Sequence, residues 1–138
     1  MTKIKCCGLS REEDIAAVND LGVDYAGFVF APESKRYVTP QRARALKEKL
    51  ADHVVAVGVF VDEDAQRVAG FIDEGIIDMA QLHGHEDSVY IRKLRSLTDA
   101  PIIQAFVIAS NQDVARAQAS DADYVLLDAG RGHGQTFD

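Results

Sequence analysis

The residues of this 138-residue chain that could do chemistry fall into four short groups. Lys5-Cys6-Cys7-Gly8 carries a thiol followed by glycine. A thiolate acts as a nucleophile or general base where its surroundings favour the charged form, and a free cysteine equally serves as a small buried hydrophobe. Cys6 fits the second role; Cys7 fits either. Ala31-Pro32-Glu33-Ser34-Lys35-Arg36-Tyr37 sets two adjacent cations beside an aromatic ring, which suits an anionic ligand that contains a ring. Arg36 offers a planar fork for a carboxylate, whereas Lys35 reads as part of a solvated loop. Gln81-Leu82-His83-Gly84 places two polar side chains on one face of an extended segment. They need partners, either a ligand or an internal network, while His85 reads as exposed. Leu126-Leu127-Asp128 ends an apolar run in an acid, which is either a general acid or base or a cap on the next loop. That loop, residues 130–136, is glycine-rich and can follow a ligand's contour or simply bend.

These groups share a position in the pattern of elements. Short apolar runs alternate with amphipathic segments. Strands are predicted over 4–7, 25–30, 54–61, 79–83, 102–108 and 124–128. Helices are predicted over 10–21, 39–50, 64–74, 86–97 and 110–119. Ser10 with Glu13 reads as a capping box, Thr39-Pro40 as a cap with proline in the first turn, and Ser110 as a further cap. Strict alternation of strand and helix means right-handed βαβ units and a parallel sheet. Function in such a sheet collects at the C-terminal strand ends, and Cys7, the Arg36 loop, Gln81 with His83, and Asp128 all stand there.

Composition narrows the classes further. Apolar residues make up 47% of the chain and charged residues 27%, enough for a real core. The net charge of −7, without basic clusters, argues against nucleic acid or an anionic membrane as partner. There is no apolar run of about 18 residues and no secretory signal at the N-terminus, so a cytoplasmic setting is expected. Cys6 and Cys7 are adjacent and cannot pair with each other, which also fits a reducing compartment. With two thiols, no CxxC, and no ligand spacing at His53 or His133, no metal is expected. Neither G-x-G-x-x-G nor a Walker sequence is present, so dinucleotide and P-loop functions are disfavoured. The length suits one domain and falls short of the roughly 250 residues of a typical eight-stranded βα barrel.

Taken in order, these segments resemble phosphoribosylanthranilate isomerase. Lys5-Cys6-Cys7-Gly8 is similar to that family's KxCG start. Gly27-Phe28-Val29-Phe30, Ser34-Lys35-Arg36-Tyr37, Gly58-Val59-Phe60-Val61, Gln81-Leu82-His83-Gly84 and Leu126-Leu127-Asp128 follow at the family's spacing. Gly134-Gln135-Thr136-Phe137-Asp138 resembles its GxTFDW segment. Cys6 departs from the pattern, standing where an aliphatic residue is usual.

The resemblance implies an Amadori rearrangement in tryptophan biosynthesis, turning N-(5-phosphoribosyl)anthranilate into 1-(2-carboxyphenylamino)-1-deoxyribulose 5-phosphate. Asp128 would protonate the furanose ring oxygen, and Cys7 would remove the C2 proton of the resulting iminium. Arg36 would hold the anthranilate carboxylate, with Gln81 and His83 lining the pocket. No cofactor is implied. Related histidine-pathway isomerases use an aspartate pair, which Cys7 argues against. The implied fold is a parallel TIM barrel, of which residues 1–138 would form a single partial domain with six of the eight strands. The strands that usually cradle phosphate would be missing, so the 138 residues alone are expected to have little or no activity. Open sheet edges at the first and sixth strands would favour self-association. The competing expectation is an inactive or self-associating α/β fragment.

Overall fold

The computed structural model describes residues 2–128. Six strands alternate with five helices along the chain: β1 (Lys5–Cys7), α1 (Glu12–Leu21), β2 (Tyr25–Val29), α2 (Pro40–Lys47), β3 (Val55–Phe60), α3 (Ala65–Asp73), β4 (Met79–Leu82), α4 (Ser88–Leu97), β5 (Ile102–Val107), α5 (Asn111–Gln118) and β6 (Tyr124–Asp128). The strands form one sheet in the order β1-β2-β3-β4-β5-β6, and every neighbouring pair is parallel. The predicted parallel βα repeat is therefore present, with the helices a few residues shorter than expected. The glycine-rich segment 130–136 and the terminal 134–138 motif lie outside the described residues, as does His133.

The helix starts are fixed by caps. Thr39 Oγ1 accepts from the Arg42 amide, Asp64 Oδ1 from Gln66, and Asp87 Oδ1 from Tyr90. The first helix departs from expectation. Arg11, not Ser10, is its N-cap, and the acid that reaches back is Asp14, not Glu13. Asp14 Oδ2 accepts the Ser10 and Arg11 amides, each at 3.1 Å. The reach is made by Asp14, which stands at the third helical position and also pairs with Arg11 at 2.9 Å. Asp113 does the same on α5, accepting the Ala109 and Ser110 amides at 2.8 and 3.0 Å.

Apolar side chains separate into two layers. The larger core lies between sheet and helices and includes Phe28, Phe60, Leu82 and Ile102 from the strands with Ile15, Leu46, Val68 and Leu94 from the helices. Phe30, Phe60 and Phe71 stack there, with ring centroids 4.9 to 5.6 Å apart. The smaller cluster, Val57, Met79 and Ile103 with Tyr25, Val55 and Leu126 against it, occupies the other face. Side chains on that face come from alternate strand positions, which puts Cys7, Gln81 and Asp128 on it as well.

One device recurs at the N-terminal edge of the sheet. The residue before β2, β4 and β6 is in each case an aspartate: Asp24, Asp78 and Asp123. Each carboxylate accepts an amide from the start of the preceding strand segment: Ile4 at 2.8 Å, Ala56 at 2.9 Å and Ile102 at 2.8 Å. Each aspartate amide returns a bond to the carbonyl of that same residue, at 2.9, 2.8 and 3.0 Å respectively. Two of these straps carry a cation from the last turn of a helix two units back. Lys47 of α2 pairs with Asp78 at 2.8 Å, and Arg95 of α4 pairs with Asp123 at 3.2 Å.

Candidate active site

The C-terminal strand ends open onto a cleft of about 1330 Å³. Cys7, Arg36, Gln81, His83 and Asp128 all line it. The gathering depends on curvature. Neighbouring strands lie about 4.8 Å apart, so β4 and β6, with β5 between them, would hold their side chains roughly 10 Å apart in a flat sheet. Yet His83 Nε2, just past β4, lies 3.2 Å from Asp128 Oδ2 at the end of β6. The sheet curls around its smaller cluster, and strand ends distant in sequence converge.

Cys7 is an exposed free thiol at the last position of β1. Its room is made by a neighbour. Cys7 lies opposite Gly27 in the β1–β2 register, and a Cβ at position 27 would stand 2.8 Å from the Cys7 sulfur. Gly8 plays the matching part for Arg36. Its φ is +82°, in the region that favours glycine, and a Cβ there would meet Arg36 Cδ at 2.3 Å. The Arg36 side chain thus lies flat over Gly8, with Nη1 donating to the Cys7 carbonyl at 3.4 Å. Ser34 Oγ accepts the Arg36 amide at 3.1 Å and shapes the turn that carries it. Gly8 and Gly27 were legible only as parts of motifs; their steric duty needs coordinates.

Gln81 is the most deeply placed polar residue of the cleft, 3% exposed, and its Oε1 has no hydrogen-bond partner among the described residues. A buried acceptor left unpaired is costly, so Gln81 holds a ready place for a donor. His83 and Asp128 are each 28% exposed at the side chain, shielded but reachable.

The loops after β3 and β4 are tied together behind this wall. Glu86, buried, accepts the Asp62 amide through Oε2 and the Gly84 amide through Oε1, each at 2.8 Å. Asp62, with φ of 53°, accepts the His85 amide at 2.6 Å. That bond from the His85 backbone, then the His85 ring, holds the Asp62 carboxyl below the ordinary aspartate range. His85 itself is exposed, as expected. Tyr90 donates to the Glu63 carbonyl at 2.6 Å, and burial above all, then the charge of Glu86, pushes its phenol upward. Glu86 went unnoticed in the sequence, since nothing in Gly84-His85-Glu86-Asp87 distinguishes a buried clamp from a charged turn. Among the described residues no group of three or more His, Cys, Asp or Glu is placed to hold a metal ion, and no helix is long and apolar enough to cross a membrane.

A curled, all-parallel βα sheet with a polar cleft at its C-terminal edge is the architecture of the βα-barrel proteins. Residues 4–138 match the family described as N-(5'phosphoribosyl)anthranilate (PRA) isomerase. The chain belongs to that family. It is 37% identical to the N-(5'-phosphoribosyl)anthranilate isomerase of Bacillus cereus (strain B4264), covering 98% of this chain and 66% of that relative. It is 40% identical to that of Lacticaseibacillus casei, covering 98% of this chain and 64% of the relative. Among solved structures, the phosphoribosyl anthranilate isomerase of Thermotoga maritima superimposes with a TM-score of 0.88 at 31% identity, covering 99% of this chain and 66% of that one. A phosphoribosyl anthranilate isomerase in complex with reduced 1-(o-carboxyphenylamino)-1-deoxyribulose 5-phosphate superimposes at 0.85, with 33% identity, over 93% of this chain and 65% of its own. The chain thus spans about two thirds of the length of the relatives it matches.

Proposed function

We propose that the protein to which this chain belongs is a cofactor-independent isomerase of N-(5-phosphoribosyl)anthranilate in tryptophan biosynthesis. One observation carries the reading: Cys7 and Asp128, ending the first and sixth strands, open onto one cleft with Arg36 bonded to the Cys7 carbonyl. The reaction needs an acid on one side of a sugar and a base on the other. Asp128 protonates the ring oxygen, and the C1–O bond breaks to leave an iminium at C1. Cys7, as thiolate, takes the C2 proton, and the electrons of the C–H bond flow into the iminium to give an enolamine. The enolamine then tautomerises to the ketone. Arg36 offers its fork to the anthranilate carboxylate, and Gln81 accepts a donor from the substrate. The partner is therefore a small phosphorylated sugar–anthranilate, and the thiol chemistry belongs in the reducing cytoplasm.

The test follows the fluorescence of the anthranilate derivative, which falls as substrate is consumed. A polypeptide of the relatives' full length is expected to turn over, and both Cys7→Ala and Asp128→Asn to abolish it. Retention of activity in either variant sinks the assignment of that residue. The 138 residues alone, as one partial barrel domain, are expected to show little or no turnover.

A second reading has its own support. Within the described residues β1 and β6 each pair with one neighbour only, and Tyr124, Val125 and Leu127 of β6 are 52%, 42% and 51% exposed. An apolar edge strand is a template for another chain. In this reading the 138 residues alone form a self-associating α/β unit without catalysis.

A further inference from the structure

The contact between His83 and Asp128 is not accounted for by either carrying substrate alone. The two groups come from strands that do not touch, and they meet at 3.2 Å through Nε2 and Oδ2. Both are anchored by their backbones. The His83 amide donates to the Phe60 carbonyl at 2.8 Å, and the next residue, Gly84, donates to buried Glu86 at 2.8 Å. On the other side the Asp128 carbonyl accepts the Ile108 amide at 2.8 Å. A Cβ at Gly84 would fall 2.6 Å from the Asp62 carboxylate, so the turn behind His83 packs directly against Asp62.

We propose that His83 is a positioning residue for Asp128, fixing the carboxyl through Nε2 and storing the proton that the carboxyl delivers to the substrate. The inference rests on the isomerase reading and adds the source of the acid's proton. The proton passes from Nε2 to Oδ2, leaving a neutral imidazole and a neutral carboxyl. The carboxyl O–H bond then breaks as the ring-oxygen O–H bond forms, and Asp128 returns to carboxylate. An isomerisation has no net proton, and the proton gained by Cys7 balances the one lost by the pair. It returns to His83 through solvent before the next turnover.

Two measurements test this. Nitrogen-15 NMR of labelled histidine reads the pair without substrate. Nε2 of His83 is expected to carry the signature of a hydrogen-bonded N–H, and Asp128→Asn to shift that signal; an unshifted signal overturns the pairing. Kinetics of the full-length protein read the proton. His83→Gln keeps a donor for Oδ2 but has no proton to pass, so kcat is expected to fall about 100-fold with KM within about threefold, as in His83→Ala. Wild-type kcat in His83→Gln overturns proton storage, and a rise in KM alone makes His83 a ligand contact instead. Absence of turnover in the wild type overturns the isomerase reading, while the NMR arm still decides the pairing.

Discussion

At the residue scale the cleft is built from small absences as much as from reactive groups. Gly27 leaves the space that the Cys7 thiol fills, and Gly8 leaves the space that Arg36 lies across. Gln81 is the complementary case, a polar group whose acceptor finds no partner among the described residues. An unpaired buried acceptor lowers stability by about 1–3 kcal/mol, and replacing it with an apolar group of similar shape removes that penalty. Gln81→Met is therefore expected to raise the thermal midpoint while weakening binding of the reaction product by about 1–2 kcal/mol. Calorimetry on the same preparation reads both, and a loss of stability in the variant would mean that Gln81 is already satisfied internally.

At the element scale the aspartates before β2, β4 and β6 set register from outside the strands. Each replaces the missing first rung of the ladder with a carboxylate bond to the strand before it. Asp78→Ala removes a charge-assisted bond to the Ala56 amide and the ion pair with Lys47, so a loss of about 1–2 kcal/mol is expected in urea unfolding. Lys47→Met removes a partly exposed ion pair and the Nζ bond to the Gly75 carbonyl, and is expected to cost about 0.5 kcal/mol. Equal losses from the two substitutions would place the weight on the ion pair and not on the strap.

At the scale of the whole molecule the second reading turns on β6, which within the described residues pairs with β5 alone. If the 138 residues self-associate through it, sedimentation will report a mass that rises with concentration. Leu127→Lys, a charge on the exposed apolar edge, is expected to restore the monomer. A monomeric wild type at high concentration sinks the edge-pairing idea. The same scale explains what the sequence could disclose. The six strands were legible because short apolar runs, Val54–Val61 the densest in β-branched residues, strictly alternate with amphipathic stretches, while their order in the sheet came only with the family resemblance. The cleft residues were legible one at a time, since each ends a strand or follows one in the next loop. The His83–Asp128 contact was not, because it exists only once the sheet curls. Nor were the straps, whose aspartates look like ordinary turn residues until the amides some twenty positions earlier are seen beside them.

The straps bear on the order in which the molecule comes together. Each closes within a single βαβ unit, joining strands that follow one another in the chain. Such short loops close early and at small entropic cost. Register is thus settled locally, pair by pair, before any distant strands meet. The cleft obeys the opposite rule: Cys7 and Asp128 stand at opposite ends of the sheet, and only the finished curvature brings them to the same opening. During folding, the cleft is therefore the last part of the molecule to take shape.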